Sequence, residues 1–411
     1  MDVAEQCWHR VIILMDMNCF FAAVEQQDNP AWQGKAIAVT NGRQGTTIIT
    51  SSYEARAYGI KTGMRLKQAR QLCPDLIQAA SRPEVYAAIS VRIMASLQNI
   101  TPDIEVYSVD EAFLDVTHCQ SLLGSPLEIG KLVKSTVRKV SGLHCSVGIS
   151  GDKATAKYAA KLHKPDGLTL IPPWEAEQTL AVEPITVLSG INKGVAGFLK
   201  DYGVIVCGDM KKIPISILAK RYGNLGRRIW LMAQGKDPEP IQINVNAPKT
   251  IGHGKVMPPG TRDLKTVLIY FQHMSEKVAV RLRKHQYKAN KFFIGLKIGE
   301  GWLHTKYRAT EPTDDGKTIF NHCKRFIQEY WRGQGVWQIQ VTALSLQDEH
   351  QSDLFLSEED GQQRSELNHA MDNINQRYGE FTIAPVRLIE RSSMPNVIAP
   401  AWKPFGHRKT I

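Results

Sequence analysis

The sequence predicts a mixed α+β protein of several domains, and three observations lead to this fold class. First, 411 residues exceed what one ordinary hydrophobic core accommodates. Second, short apolar runs alternate with helical stretches up to Ile171, after which the pattern is helical with glycine turns as far as Gln234. Third, residues 250–345 again mix strand and helix patterns. We therefore expect a sheet-based N-terminal domain, a helical domain and a separate α/β domain.

The N-terminal domain is predicted from the order of its elements. Apolar runs indicate strands and amphipathic stretches indicate helices, in the order Val11–Met15 (strand), Cys19–Gln27 (helix), Glu84–Leu97 (helix), Ile104–Ser108 (strand), Ala112–Val116 (strand), Leu127–Val140 (helix) and Cys145–Ile149 (strand). With an insert between the first two helices, this order matches a ferredoxin-like sheet that has its helices on one face.

The insert, residues 26–76, is predicted to form a small subdomain. Two β-rich segments, Ala36–Val39 and Thr46–Ser51, flank the pair Asn41-Gly42, which is a hairpin signal. A short helix is predicted over Ser52–Tyr58, because a glycine follows it directly.

Composition narrows the class of protein. Hydrophobic residues make up 43% of the chain and charged residues 22%, as in globular proteins, and no apolar run approaches the ~18–20 residues that cross a bilayer. The N-terminal run is preceded by acids and lacks a small-residue cleavage site, which favours a buried strand over a signal peptide. Seven scattered cysteines without a CxxC pair indicate neither a zinc site nor disulfides. We expect no membrane association and a cytoplasmic location.

Positive charge is concentrated in one part of the chain. The net charge is +11, and residues 241–345 hold 17 Lys/Arg and 7 Asp/Glu, a net of +10. A basic module of this kind indicates a polyanionic partner such as nucleic acid. A solvated basic surface without a partner is an equal alternative from charge alone.

Three carboxylates are the first candidates for chemistry. Asp16 ends a buried strand, where a carboxylate is costly unless it is hydrogen-bonded or bound to a cation. Asp110 and Glu111 are adjacent at the tip of a predicted hairpin, where both can converge on one point. Three such carboxylates form a hard oxygen site that suits magnesium. The alternatives are a strand-end cap for Asp16 and a solvated turn for the pair.

Three further side chains could bind phosphate. Tyr53 and Arg56 lie three residues apart on a predicted helix and so share a face, and an arginine fork matches phosphate oxygens. Lys164 lies in a loop bounded by a proline and a glycine, where it could help to neutralise a triphosphate. A surface Tyr-Arg pair and a solvated lysine are the alternatives.

In combination, these motifs resemble the Y-family DNA polymerases, and within them the DinB-type enzymes. The resemblance is carried, in family order and spacing, by MDMNCFFAAVEQ at 15–26, SSYEAR at 51–56, YGIKTGM at 58–64, YSVDEAFLDV at 107–116, SVGIS at 146–150 and KYAAKLHKPDG at 157–167. It implies an error-prone, lesion-bypassing polymerase without proofreading. The implied domains are a palm (1–25 and 77–171), small fingers (26–76), a helical thumb with a helix-hairpin-helix (172–235), a linker (236–249), a little finger (250–345) and a C-terminal extension (346–411).

The resemblance also implies roles for individual residues. Two magnesium ions would be held by Asp16, Asp110, Glu111 and the backbone carbonyl of Met17, and Tyr53, Arg56 and Lys164 would bind the incoming deoxynucleoside triphosphate. Phe21 matches the family's steric gate, because a ring under the sugar would clash with a 2′-hydroxyl; Phe20 is expected in the core. Primer-template DNA is the implied partner of a monomeric, nucleoid-associated enzyme.

Two positions depart from the family pattern. Asn18 stands where many relatives have a second aspartate, which is not a required ligand. Residues 190–205 resemble a helix-hairpin-helix, a motif whose backbone amides bind DNA phosphate, but Asn192 replaces its second glycine. We expect Asn192 to tolerate the left-handed backbone there.

The C-terminal extension carries one recognisable motif. Asp348–Gln363 is predicted to be an acidic exposed loop, followed by a helix over Glu366–Tyr378 and a Pro-rich tail. Within the loop, QSDLF at 351–355 resembles a sliding-clamp-binding peptide, in which Gln351, Leu354 and Phe355 would dock into a groove of the clamp. The region also resembles the C-terminal part of UmuC-like relatives.

Other functions remain open at this point. A non-catalytic DNA- and clamp-binding accessory protein could share the fold, although such proteins lose the carboxylates that are present here. A UmuC-like subunit would need a partner for activity. A nucleotidyl cyclase shares the ferredoxin-like palm and two-metal chemistry, but the basic module and the hairpin-helix stretch argue against it.

Overall fold

The computed structural model describes residues 8–43, 45–244, 247–299, 301–348 and 359–391. They form two compact units, divided between residues 245 and 246, within the predicted linker. Each unit has a hydrophobic core of its own.

The elements of the first unit alternate as the sequence predicts. Its strands are β1 Ile12–Met17, β2 Ile37–Thr40, β3 Ile48–Ser51, β4 Ile77–Ala80, β5 Ile104–Val106, β6 Glu111–Asp115, β7 Cys145–Ser150 and β8 Leu168–Leu170. Its helices are α1 Phe20–Asp28, α2 Tyr53–Ala57, α3 Leu66–Leu72, α4 Pro83–Leu97, α5 Gln120–Leu123, α6 Pro126–Ser141, α7 Lys153–Leu162, α8 Pro173–Ala181, α9 Lys193–Asp201, α10 Ile215–Tyr222 and α11 Asn224–Met232.

A five-stranded sheet in the order β5-β6-β1-β7-β8 forms the centre of the first unit. Strand β1 is antiparallel to both of its neighbours, β6 and β7. The four strands β5, β6, β1 and β7 therefore have the predicted ferredoxin-like order. Strand β8 was not predicted; it pairs in parallel with β7 and adds a fifth strand at the edge.

The two faces of this sheet are covered by different helices. Alternate residues of β1, among them Ile13 and Met15, share a core with buried residues of α4 and α6, whereas Ile12 and Leu14 on the other face contact α7. The helices of the predicted order therefore share one face, as expected, and α7, which was not predicted, covers the other face. Helix α7 can pack closely against β7 because Gly148 has no side chain. A Cβ at this position would lie 2.1 Å from the Ala156 carbonyl oxygen.

The insert forms a second, three-stranded sheet in the order β3-β2-β4. Strands β2 and β3 are antiparallel, with Ala38 opposite Ser51, which confirms the predicted hairpin. Strand β4 completes the sheet by pairing in parallel with β2, although its residues lie just beyond the expected boundary at 76. Helix α2 begins after Ser52, whose hydroxyl accepts a hydrogen bond from the Ala55 amide.

Helices α8–α11 enclose a separate small core, and the chain after them is attached to the same unit. Arg228 binds the Asp237 carboxylate through two hydrogen bonds of 2.8 and 2.9 Å. The buried Lys153 amine lies 2.7 Å from the Glu105 carboxylate, which also accepts a hydrogen bond from the Gln242 amide at 2.8 Å. The first part of the expected linker is therefore fixed by buried ion pairs.

The second unit is one antiparallel sheet with helices on one face. Its elements are β9 Thr250–Thr261, α12 Leu264–Lys284, β10 Tyr287–Ile298, β11 Gly301–Thr313, α13 Gly316–Tyr330, β12 Val336–Asp348 and α14 Glu359–Tyr378. The strand order is β11-β10-β12-β9, and α12 and α13 bury one face of the sheet in a common core. This is the predicted mixture of helix and strand.

Helix α14 docks on the second unit through charged side chains. Arg283 binds the Asp372 carboxylate at 2.6 and 2.9 Å, and Arg364 binds Asp315 at 2.8 Å. The helix begins at Glu359 and not at Glu366 as predicted. Its first turns are polar and contain a glycine, so they carry no apolar periodicity from which a helix could be predicted.

Candidate active site

Three acidic residues lie near one another where β1 ends beside the turn between β5 and β6. Asp16 and Glu111 lie directly opposite each other in the antiparallel pair β1–β6. The backbone amide of Met17 donates a hydrogen bond of 2.9 Å to the carbonyl oxygen of Asp110. Asp16 is only 5% exposed. The turn therefore brings the backbone of both adjacent acids to the end of β1.

Local hydrogen bonds hold the turn in this shape. The Ser108 hydroxyl donates to Asp110 Oδ1 at 2.6 Å, and the amides of Tyr107 and Ser108 both donate to the Glu111 carbonyl oxygen, at 3.0 and 3.1 Å. Because one carbonyl oxygen accepts two amides, the chain reverses tightly between β5 and β6. The two carboxylates are therefore presented from a rigid turn.

Two lysines supply positive charge to these carboxylates. The Lys164 amine lies 2.5 Å from Asp16 Oδ1, and the Lys157 amine lies 2.7 Å from Glu111 Oε2. Lys157 also lies over the Tyr107 ring, 4.2 Å from its centre. Lys157 was not predicted as a site residue. Its signal in the sequence is its position one turn before Lys161 in KYAAKLHK, which places both amines on one side of α7.

Burial favours the protonated form of two of the acids. It raises the pKa of Asp16 to about 7, against the opposing effect of the Lys164 charge. Burial also raises the pKa of Asp110, against the hydrogen bond from Ser108. Burial therefore disfavours the ionised form of both acids, and a divalent cation, which prefers oxygen ligands of this kind, would favour it. In this conformation, however, no three His, Cys, Asp or Glu side chains among the described residues are grouped closely enough to hold an ion.

The predicted phosphate-binding pair lies at the start of α2. The Arg56 guanidinium is 4.9 Å from the centre of the Tyr53 ring, and its Nε donates to the Ser51 carbonyl oxygen at 3.1 Å. The Tyr53 hydroxyl is buried and has no hydrogen-bond partner within the described part of the chain. Burial raises the pKa of Tyr53 to about 12, so this hydroxyl remains a donor for an incoming oxygen.

The two rings at the start of α1 are both buried. Phe21 is 8% exposed and Phe20 3%. Phe21 stacks on Tyr86 with ring centres 4.3 Å apart and an angle of 15° between the planes. Tyr86 is itself fixed, because its hydroxyl donates to Glu25 at 2.7 Å and Arg82 binds the same carboxylate at 2.8 Å. The ring of Phe21 therefore rests on a rigid support.

The open face of the second unit's sheet is a candidate nucleic-acid interface. Along β11, every second residue from Trp302 to Thr310 is exposed, namely Trp302, His304, Lys306, Arg308 and Thr310, and Gly301 and Glu311 are exposed as well. Across the sheet, Lys291 lies opposite Arg308. On β9, glycines lie opposite polar side chains of β12, with Gly252 paired to Thr342 and Gly254 to Gln340. The face thus carries basic side chains at the β11 edge, and glycines and polar side chains at the β9 edge.

The remaining predicted motifs have different outcomes. In the helix-hairpin-helix stretch, Gly190 has a positive φ of 91°, but Asn192 is extended at φ −85° and caps α9 by accepting from the Val195 amide. The expectation of a left-handed Asn192 is therefore wrong, because the side chain is used as a helix cap.

The three residues of the predicted clamp-binding motif, Gln351, Leu354 and Phe355, lie outside the described residues.

Comparisons with known proteins agree with this arrangement. Residues 15–161 match the model of the impB/mucB/samB family and residues 248–356 match that family's C-terminal domain. DNA polymerase IV of Moorella thermoacetica is 32% identical over 90% of this chain and 94% of its own length. DNA polymerase IV of Bacillus anthracis is 32% identical over 90% and 91%. A solved Y-family DNA polymerase chimera matches with a TM-score of 0.71 at 27% identity, covering 82% of this chain and 99% of its own.

The fold and the site define a nucleotidyltransferase built on a ferredoxin-like sheet. The chain belongs to the impB/mucB/samB family, the Y-family DNA polymerases, and within it to the DinB-type enzymes. It is a translesion, DNA-directed DNA polymerase, so the accessory-protein alternative is not favoured. Its substrates are DNA and nucleotides, and enzymes of this family generally use divalent metal ions. No helix among the described residues is long and apolar enough to span a membrane.

Proposed function

We propose that Asp16, Asp110 and Glu111, with the Met17 carbonyl, hold two magnesium ions at which the primer is extended. The observation that carries this proposal is the direct pairing of Asp16 with Glu111 beside the bond from the Met17 amide to Asp110. When bound, two such ions would activate the primer 3′-hydroxyl and stabilise the departing pyrophosphate. The raised pKa of Asp16 and of Asp110, which is caused mainly by burial, supports the fit, because a bound cation would stabilise the ionised form of these buried acids.

The triphosphate is proposed to bind to Tyr53, Arg56 and Lys164. The Tyr53 hydroxyl is a buried donor without a partner among the described residues, and Arg56 is held beside it. The Lys164 amine contacts Asp16. Once cations neutralise Asp16, this amine can turn to phosphate oxygens, where it balances charge that develops on the leaving group.

Phe21 is proposed to select deoxyribose. The Phe21 ring rests on Tyr86, which two further residues fix, so it cannot give way to a 2′-hydroxyl. A flexible or unsupported ring would discriminate less well between the two sugars.

DNA is proposed to lie against the open face of the second unit's sheet and against the turn at Gly190. Lys306, Arg308 and Lys291 offer cations on one edge of that face, which suit phosphate contacts that position the duplex without reading bases. The glycines of β9 would let a sugar-phosphate backbone approach closely.

Beyond DNA, we propose that the protein is a monomer located at the nucleoid in the cytoplasm. We also propose that a sliding clamp recruits it through Gln351, Leu354 and Phe355.

Primer extension by the purified chain tests this function. Wild type should extend a primer on undamaged and adducted templates when magnesium is added. Asp110→Asn should abolish extension while DNA binding, measured by fluorescence anisotropy, stays within about twofold. Asp103→Asn, an acid on the same hairpin outside the carboxylate cluster, is the matched control and should remain active. Near-normal extension by Asp110→Asn would refute the metal assignment, and a requirement for an added subunit would favour the UmuC-like alternative.

A further inference from the structure

A chain of hydrogen bonds links the end of β1 to the turn that carries Lys164. The Gly167 amide donates to the Ser146 hydroxyl oxygen at 3.2 Å. The Ser146 hydroxyl donates in turn to Asn18 Oδ1 at 2.9 Å. Asn18 is 5% exposed and Ser146 is fully buried, so water does not compete for either bond.

The direction of each bond in this chain is fixed by chemistry. A backbone N–H can only donate, so the Ser146 oxygen is the acceptor for Gly167. An amide oxygen can only accept, so the Ser146 hydroxyl proton goes to Asn18 Oδ1. The other end of the Asn18 amide, Nδ2, has no partner among the described residues. The fold therefore uses Asn18 as an acceptor, through its oxygen alone.

The two ends of this chain lie close in sequence to the two partners of the Asp16–Lys164 contact. Asn18 follows Asp16 by two residues, and Gly167 follows Lys164 by three. Asp16 is paired with Ser146 across β1 and β7, and its carboxylate contacts the Lys164 amine. The hydrogen bonds thus close a ring that runs from Asp16 through Asn18, Ser146 and the turn back to Lys164.

We propose that Asn18 is a positioning residue for the incoming nucleotide, acting through Ser146 to set where the Lys164 amine stands relative to the end of β1. The inference rests on the proposed role of Lys164 in triphosphate binding. Other contacts also hold the turn: the Lys134 amine binds Asp166 at 2.8 Å, and the Val147 amide donates to the Gly167 carbonyl oxygen at 3.0 Å. Loss of the Asn18 link should therefore shift the amine without unfolding the turn.

Single-nucleotide incorporation with varied triphosphate concentration tests the proposal. Asn18→Ala and Ser146→Ala should each raise KM for the nucleotide about fivefold, the equivalent of one hydrogen bond of ~1 kcal/mol, with kcat within twofold. The double variant should be no worse than either single one, because both remove the same link. Asn18→Asp keeps an oxygen that can accept the Ser146 proton, so it should restore KM to within about twofold of wild type.

A matched control lies on the same strand. Ser150 is also fully buried, and its hydroxyl has no partner among the described residues, so Ser150→Ala should leave KM and kcat unchanged. An increase of KM in this control equal to that in Ser146→Ala would assign the effect to general packing of β7 and overturn the proposal. Thermal melting of all variants would show that each one is folded.

Lys164→Ala separates this inference from the proposed function. If Lys164 binds the triphosphate, Lys164→Ala raises KM, and adding Asn18→Ala to it causes no further increase. If Lys164→Ala raises KM but Asn18→Ala and Ser146→Ala do not, the positioning role is wrong and the function stands. If Lys164→Ala leaves KM unchanged, the role of Lys164 itself fails. An additive double variant would show that Asn18 acts by another route, which also overturns the inference.

Discussion

The Lys157 amine lies 2.7 Å from the Glu111 carboxylate and 4.2 Å from the centre of the Tyr107 ring. Both neighbours belong to the hairpin that carries Asp110. One side chain of α7 therefore braces the turn that presents two of the three carboxylates.

Replacing Lys157 with Met should destabilise the protein when divalent cations are removed. The change leaves a largely buried carboxylate without its partner, which costs roughly 1–3 kcal/mol. Magnesium should stabilise the variant more than wild type, because it can replace the missing charge. Urea unfolding in EDTA and in magnesium measures both effects. Lys220→Met, at an exposed lysine of α10, is the control; equal stability of the two variants in EDTA would contradict the bracing role.

Phe21→Ala should raise the use of ribonucleotides relative to deoxynucleotides by about tenfold or more, because it removes the ring supported by Tyr86. Base selection should change little. The ratio of kcat/KM for the two sugars measures the effect, with Phe20→Ala as the control ring. An unaltered ratio in Phe21→Ala and a raised one in Phe20→Ala would move the gate to Phe20.

DNA affinity should fall steeply with salt, because lysine and arginine contacts release counterions from DNA. Changing Lys306 and Arg308 together to Ala should reduce the slope of log K against log salt by roughly 2 if both contact phosphate. Lys317→Ala with Lys324→Ala removes two exposed charges from α13, on the helical side, and should leave the slope unchanged. Equal slopes for both pairs would show that the β11 face is only a solubilising surface.

Replacing Leu354 and Phe355 with Ala should remove stimulation by a sliding clamp while leaving extension of short primers unchanged. Tethering to a ring around DNA raises the effective concentration at the primer end, and short primers do not need it. Extension of long primed templates with and without clamp measures the effect. Persistent stimulation, accompanied by a lower melting temperature, would show that the pair packs on its own chain.

The second unit should lose stability as the pH falls, partly through His273. Burial, aided by the charges of Lys255, Lys277, His253 and Arg391, lowers the pKa of His273 to about 3. The unfolded chain therefore binds a proton that the folded chain does not, and stability is lost from about pH 6.5 downwards.

The expected size follows from ~1.4 kcal/mol per pH unit. Between pH 7.5 and pH 5, wild type should lose about 2 kcal/mol more than His273→Gln. Urea unfolding followed by circular dichroism at both values checks this difference. His322→Gln, which removes a histidine of α13 whose pKa is lowered less, should give a smaller difference. Parallel losses in wild type and His273→Gln would show that His273 protonates freely in the fold.

The carboxylates could be predicted because their positions depend on local pattern. The five-residue apolar run Val11–Met15 places Asp16 directly after it, and the alternating runs around Val109 predict the hairpin. By contrast, Lys157 pairs with Glu111 only because α7 crosses the face of the sheet opposite α4 and α6. That crossing depends on Gly148, because a side chain there would collide with α7. Such a requirement arises from a contact between distant residues, and no periodicity of the sequence displays it.

Short or polar elements were missed for a related reason. Strand β8 has three half-buried residues, too few to show an alternation, and it exists because β7 offers an edge. The first turns of α14 are polar, so the helix is held by Arg364 and Asp315 and not by an apolar stripe. Interactions between distant residues decide such cases, and a single sequence does not display them.

The ion pairs that hold α14 also determine which fragment of the second unit can be isolated. A piece ending at 345, where the α/β pattern of the sequence stops, would strand Arg283 and Asp315 on the surface of the helical layer without Asp372 and Arg364. The two ion pairs would be lost, and side chains that α14 now covers would be exposed to solvent. An autonomous version of this unit therefore has to include α14, which lies past the boundary that periodicity alone would select.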